Sequence, residues 1–203
     1  MIILIEGPRG SGKTHLTKKL KDYIIKDKDI DEKDIIFYKY DFVNHMKTLN
    51  MEDQEGGAGF HYFTISNTLT ILELHKTILK DKVFIFDRGV FSAYAWSIFR
   101  KRLDSKRLNI EFIRLLKDDL YSNCHIVYVT TDTPVKRDKD LFDKFDNYRI
   151  ENESFINLFK LNEGSISNFK KNNSVTHFKN NMDDISESLF LKTLINIIET
   201  RKF

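Results

Sequence analysis

A glycine-rich loop near the start of the chain constrains the fold more than any other feature. It has the sequence GPRGSGKT over residues 7–14 and directly follows the apolar run IILI. The residues after it, HLTKKLKDYII, carry apolar and lysine side chains with helical spacing. The side chains that this spacing turns inward are Leu16, Leu20, Tyr23 and Ile24. A buried strand, a tight loop and an amphipathic helix in this order predict a βα unit whose loop surrounds an anion.

The loop fits the P-loop spacing G-x-x-x-x-G-K-[ST] in the context of strand and helix that the motif requires. Glycines let successive N–H groups face a phosphate, and the helix N-terminus adds partial positive charge. We expect Lys13, as a solvent-facing lysine, to reach the β and γ oxygens of ATP, and Thr14 to bind Mg²⁺. Arg9 contacts an acceptor phosphate or points to solvent. The predicted nucleotide-binding residues are Gly7, Pro8, Arg9, Gly10, Ser11, Gly12, Lys13 and Thr14.

Segments with helical periodicity separate the apolar strands of this chain. Besides residues 2–5, strands are predicted at 35–41, 82–87, 123–132 and 174–181, with a long helix to about Lys80 and a closing helix at 185–201. Such βαβ crossovers predict a parallel sheet with helices on both faces. The expected fold is α/β: the three-layer P-loop NTPase fold with five parallel strands, in one domain over residues 1–203. Cys124 is expected to be a buried strand residue.

The amino-acid composition limits the classes of molecule that we expect the protein to bind. With 41% hydrophobic and 31% charged residues the chain has an ordinary globular composition, and its net charge is only +3. That charge is too mild for a dense basic face, so we expect a small anionic substrate and no extended nucleic-acid binding. No apolar run approaches the roughly 18 residues of a spanning helix, and there is no basic leader, so the expectation is a cytoplasmic protein without a membrane partner. Homodimerisation stays open.

The third predicted strand ends in an acid and a base, VFIFDR. An acid at the tip of an apolar strand beside the loop is where the magnesium-side carboxylate lies in this architecture, so Asp87 is the predicted metal ligand. Arg88 follows and is placed to meet a phosphate. A surface ion pair or a helix cap is the alternative interpretation.

Two stretches resemble a known family. DRGVFSAYAWS is similar to the D-R-Y-x-x-S-x-x-A-Y signature of thymidylate kinases, and IEGPRGSGKT resembles their opening E-G-x-[DE]-x-x-G-K-[ST]. Deoxynucleoside kinases are similar too, with an Asp/Glu-Arg-Ser run at this strand. The chain departs from the thymidylate pattern at Arg9, where the family has an acid, and at Gly89, where it has Tyr. It also lacks the R-x-P-G-G acceptor loop and the acceptor arginine of the following helix, where His61 and Asn67 offer polar groups.

The resemblance implies an acceptor site and a lid at about 134–150. Asp41, at the tip of the second strand, is placed to take a proton from an acceptor hydroxyl, or it caps the next helix. Arg137 is the first candidate for a lid cation on the transferring phosphoryl, with Lys139 and Arg149 in reserve, although a solvated helix would look similar. Asn180 follows the fifth strand, where P-loop kinases pack the purine.

These residues predict a magnesium-dependent kinase. It would transfer the γ-phosphoryl of ATP to a nucleoside or deoxynucleoside monophosphate, using Lys13, Arg88, Arg137 and Asp41. One alternative is a kinase for a hydroxyl acceptor, either a deoxynucleoside or a polynucleotide 5′ end, with Asp41 as base. The other is a regulatory protein that binds ATP without turnover.

Overall fold

The computed structural model describes residues 1–26, 31–39, 67, 70–71, 73–89, 91–92, 95, 124–135, 145–160 and 174–200. The strands are β1 (Ile2–Glu6), β2 (Ile35–Lys39), β3 (Val83–Asp87), β4 (Cys124–Thr130) and β5 (Ser174–Lys179). The helices with both ends described are α1 (Lys13–Lys26), α2 (Phe145–Lys160) and α3 (Asp184–Thr200), and a short 3₁₀ helix spans Glu32–Asp34.

The strands form one parallel sheet in the order β2-β3-β1-β4-β5, which confirms the predicted α/β fold. Every residue of β1 and of β3 is buried, as expected for parallel strands covered on both faces. In the central register Ile5 pairs with Asp87 of β3, and Glu6 pairs with Tyr128 of β4. The carboxyl ends of three neighbouring strands therefore meet at the sheet edge where β1 runs into the glycine-rich loop.

Helices α1 and α3 cover one face of the sheet. The buried side chains of α1 recur every four residues at Leu16, Leu20 and Ile24, and those of α3 do the same. They join the inward-facing residues of the strands in one cluster. Tyr23 was predicted to face inward and does not, because it lies at the edge of the stripe centred on Leu20 and its side chain is 43% exposed.

The element boundaries shift by a few residues from the predicted ones. Strand β4 ends at Thr130 and β5 at Lys179, and the helix before β3 ends at residue 77 instead of near Lys80. Cys124 is confirmed as a buried strand residue with a free thiol. Within the described part of the chain, no helix combines the length and apolarity needed to cross a membrane.

Candidate active site

The loop between β1 and α1 is pressed between two other parts of the fold. Gly7 and Gly12 have positive φ angles of 142° and 83°. A Cβ atom would lie 2.1 Å from the carbonyl oxygen of Val129 at Gly7 and 2.3 Å from Nδ2 of Asn180 at Gly12. Side chains at these positions would collide with β4 and with the turn after β5, so the glycines permit the curled loop that the motif predicts.

Lys13 lies inside this loop. Its side chain is only 3% exposed, and Nζ donates hydrogen bonds to the Pro8 carbonyl oxygen at 2.5 Å and to Ser11 Oγ at 2.9 Å. The expectation of a solvent-facing lysine is therefore wrong, because the loop curls around the ammonium. Burial lowers the pKa of Lys13 and Arg88 lowers it further, while nearby acids oppose the shift. The loop thus encloses the Lys13 amino group.

Asp87 ends β3 at the same edge and is 4% exposed. Its Oδ1 has no hydrogen-bond partner among the residues that the structure describes, and its charge acts on the pKa of Lys13. Thr14 is exposed in the first turn of α1. A carboxylate oxygen and a hydroxyl are ligands that Mg²⁺ accepts, and Mg²⁺ usually takes few protein ligands beside phosphates and water. The described part of the chain has no group of three or more His, Cys, Asp or Glu that could hold a metal ion. The Oδ1 carboxylate oxygen of Asp87 and the exposed hydroxyl of Thr14 are chemically suited to a magnesium ion, and their role as its ligands stays a prediction.

Arg88 has a φ angle of 75°, in the left-handed region that residues other than glycine seldom adopt. Its backbone N–H donates to the carbonyl oxygen of Ile5 at 3.1 Å, which holds the bend after β3 against the end of β1. The guanidinium lowers the pKa of both Lys13 and Glu6, so it lies within electrostatic reach of the loop. Such backbone strain is typically kept where surrounding contacts demand it, often at functional sites.

Glu6, which the sequence did not single out as a site residue, is the last residue of β1 and is fully buried. Its Oε2 accepts hydrogen bonds from the backbone N–H of Ser92 at 3.1 Å and from the Ser92 hydroxyl. Burial raises the pKa of Glu6 to about 7, against the opposing effects of Ser92, Arg88 and Lys13. The available signal was an acid that ends an apolar run at a strand tip.

Glu151 is a second acid that the sequence interpretation missed. It lies on α2, is 4% exposed, and its Oε2 accepts the backbone N–H of Arg9 at 3.1 Å. The hydroxyl of Tyr148, one turn earlier, accepts the N–H of Thr131 at 2.7 Å beyond the end of β4. Helix α2 is therefore tied both to the loop and to the sheet edge. Whether the Arg9 side chain contacts an acceptor stays a prediction.

Asn180 supports the loop from the side of β5. It is 1% exposed, its Nδ2 donates to the Ser11 carbonyl oxygen at 3.0 Å, and its Oδ1 accepts the N–H of Met182 at 3.0 Å. The described contacts of Asn180 are thus with the loop and its own turn, whereas the sequence suggested contact with a purine.

The N–H of Val135 donates to the Gly10 carbonyl oxygen at 3.1 Å, which brings the start of the predicted lid to the loop.

The structure places Asp87 and Arg88 within electrostatic reach of Lys13. Their roles as site residues stay predictions. Asp41, His61, Arg137 and Lys139 lie outside the described residues, as does the lid from 136 to 144. Arg149 is exposed on α2.

Comparison with known proteins identifies solved structures that share this fold. The sequence matches no protein-family model, and no curated protein matches it either. Solved structures do match. Thymidylate kinase from Ehrlichia chaffeensis superposes with a TM-score of 0.61 and 18% identity, over 98% of this chain and 98% of that one. Thymidylate kinase from Candida albicans gives 0.62 and 15%, over 99% and 92%.

Deoxyadenosine kinase from M. mycoides with bound dCTP gives a TM-score of 0.56 and 13% identity, over 98% of this chain and 100% of that one. The chain has the fold of these nucleotide kinases. This likeness confirms the resemblance that the motifs around Gly7 and Asp87 suggested, and at these identities it is a likeness of fold.

Proposed function

We propose that the protein is a phosphotransferase that moves the γ-phosphoryl group of ATP to a nucleoside or deoxynucleoside monophosphate. The observation that carries the proposal is the meeting of Lys13, Asp87 and Arg88 at one sheet edge, around a loop shaped for phosphate. The kinase folds that the chain resembles support the same reaction class.

Catalysis would come from positioning and charge. The acceptor phosphate oxygen attacks the γ-phosphorus, the bond to the β,γ-bridging oxygen breaks, and ADP leaves without a covalent enzyme intermediate. Lys13 binds the phosphate oxygens that gain charge, and Arg88 contacts the transferred group or the acceptor phosphate. A magnesium ion held by Thr14 and Asp87 would neutralise further charge on ATP. An acceptor phosphate is already anionic near neutral pH, so it needs no strong base.

A hydroxyl acceptor is the second candidate. The absence of an R-x-P-G-G loop from the sequence favours it, and deoxyadenosine kinase shares the fold. In that case Asp41 would take the proton from the acceptor hydroxyl as it attacks. A deoxynucleoside or a polynucleotide 5′ end supplies such a hydroxyl.

An acceptor panel tests the proposal. ADP release is measured from purified protein, ATP and Mg²⁺ with nucleoside monophosphates, nucleosides and 5′-hydroxyl oligonucleotides, and the phosphorylated product is identified by mass. We expect transfer to a monophosphate. Lys13→Ala should abolish it, while Lys18→Ala, on the exposed side of α1, should leave it unchanged. Transfer only to hydroxyls would replace the first candidate by the second, and ATP binding without any product would indicate a regulatory protein.

A further inference from the structure

The end of β1 is joined to the segment after β3 by two kinds of contact. The Ile5 carbonyl oxygen accepts the N–H of Arg88, and the neighbouring Glu6 carboxyl group accepts both the N–H and the hydroxyl of Ser92. Ser92 is helical and buried, and its N–H belongs to the first turn of a helix, where backbone N–H groups need outside acceptors. Arg88 itself and Ser92, four residues later, are therefore both held from β1.

The second oxygen of Glu6 meets Gly89. A Cβ atom at that position would lie 2.9 Å from Oε1, closer than ordinary contact allows. A side chain there would have to displace the carboxyl group, so glycine at 89 lets Glu6 lie directly against the bend. Among the described residues, Oε1 has no hydrogen-bond partner.

A carboxyl group is a costly choice for a purely structural position. Burying an ionisable group without full pairing destabilises a fold, and packed apolar residues often replace such groups without loss of stability. Glu6 is nevertheless fully buried, and both Arg88 and Lys13 lie close enough to influence its charge. Its carboxyl group accepts two hydrogen bonds from Ser92, a role that an apolar residue could not fill.

We propose that Glu6 is a positioning residue for phosphoryl transfer: its carboxyl group fixes Ser92 and the bend at Arg88 and Gly89, so that the Arg88 guanidinium is held beside Lys13. This inference rests on the proposed function. Glu6 touches neither substrate nor reacting atoms in this role and acts through Arg88. When a catalytic group is displaced by about 1 Å from its productive position, the rate of the reaction falls by up to roughly 10²-fold.

The test compares Glu6→Ala, Glu6→Gln and Ser92→Ala in the full chain. Ser154→Ala is the matched control, since Ser154 is also a buried serine but donates to the Ile150 carbonyl oxygen on α2. We expect Glu6→Ala and Ser92→Ala each to lower kcat and raise the acceptor KM by roughly 10-fold, with ATP affinity unchanged. Glu6→Gln keeps an oxygen for Ser92 and should recover most of the loss. The double variant Glu6→Ala/Ser92→Ala should be no worse than either single one.

Two results would overturn the inference. One is a folded Ser92→Ala or Glu6→Ala protein with wild-type kcat and acceptor KM. The other is a Glu6→Gln protein as impaired as Glu6→Ala, which would assign the effect to charge and not to the bonds with Ser92. Ser92→Ala serves alone if Glu6→Ala does not fold.

Failure of the proposed function is seen separately, as a wild-type protein that transfers to no acceptor of the panel. Amide exchange measured by NMR then decides whether Glu6 holds the bend. Faster exchange of the Arg88 and Ser92 amides in Glu6→Ala, with unchanged exchange in Ser154→Ala, supports the holding role. Unchanged exchange at both amides overturns it.

Discussion

The side-chain amide of Asn180 donates from Nδ2 to the Ser11 carbonyl oxygen at 3.0 Å, although 169 residues separate the two along the chain. Both residues are buried, and the oxygen of the same side-chain amide accepts the backbone N–H of Met182. The turn after the last strand thus holds the glycine-rich loop that follows the first strand.

Asn180→Ala should loosen this loop. The Ser11 carbonyl oxygen would lose a buried partner, which typically costs about 1–3 kcal/mol in the free energy of unfolding. We expect that loss in urea titrations, together with weaker ATP binding in calorimetry. Asn196→Ala, on the exposed side of α3, is the control and should change neither quantity. Wild-type ATP affinity in Asn180→Ala would show that the loop keeps its shape without this bond.

Asp87→Asn should raise the Mg²⁺ concentration needed for half-maximal transfer. The amide is neutral and a weaker ligand for a hard cation, so the rate at low Mg²⁺ should fall most and excess Mg²⁺ should restore part of it. Rates across a magnesium titration give the answer. Asp22→Asn, in the exposed part of α1, should follow the wild-type curve. An unchanged curve for Asp87→Asn would remove Asp87 from the metal site.

The contribution of Glu6 to the free energy of unfolding should fall as pH rises from about 4.5 to 7. Burial raises the pKa of Glu6 from 4.5 to about 7, so the folded protein keeps a proton in this window that the unfolded chain has released. Ionising Glu6 in the folded protein therefore lowers the free energy of unfolding by on the order of 3 kcal/mol. This loss is fully present above pH 7 and disappears below pH 4.5. Urea titrations from pH 4.5 to 8 should show that Glu6→Gln lacks this decline. Parallel curves for the two proteins would contradict the raised pKa.

Asp41→Asn should separate the two acceptor classes. A general base typically contributes about 10²–10⁴-fold, so a hydroxyl acceptor should lose that much in kcat. A monophosphate acceptor should lose less, and partly in KM. Steady-state kinetics on the best acceptor of each class measures the difference. A wild-type rate with nucleosides or oligonucleotides would exclude Asp41 as the base.

Arg137→Ala should lower kcat with little change in ATP affinity, because the loop binds ATP before a lid cation acts. Arg137→Lys should restore only part of the rate, since lysine lacks the planar fork that grips two phosphate oxygens. Single-turnover kinetics together with ATP titrations separate the two effects. Full kcat in Arg137→Ala would show that Arg137 is not the lid cation, and Lys139 and Arg149 would be tested next.

The sequence by itself determined the parts of the site that are local. Glycine, lysine and threonine at fixed spacing specify a phosphate loop, because its conformation depends on φ angles and N–H groups of adjacent residues. Short apolar runs predict the buried strand before the loop and the one that ends at Asp87. The helical segments between the strands predict that the strands run parallel. Asp87 and Arg88 could be predicted because parallel strands end at one edge.

Only the tertiary structure decided how that loop is held. Glu6 meets Ser92 across 86 residues, Arg9 meets Glu151 across 142, and Ser11 meets Asn180 across 169. Each pair joins a buried polar group to a partner that chain folding alone brings near, so no spacing in the sequence predicts it. The burial of Lys13 has the same origin: an ammonium expected in solvent is enclosed because the loop closes around it and lies against β4 and the turn after β5.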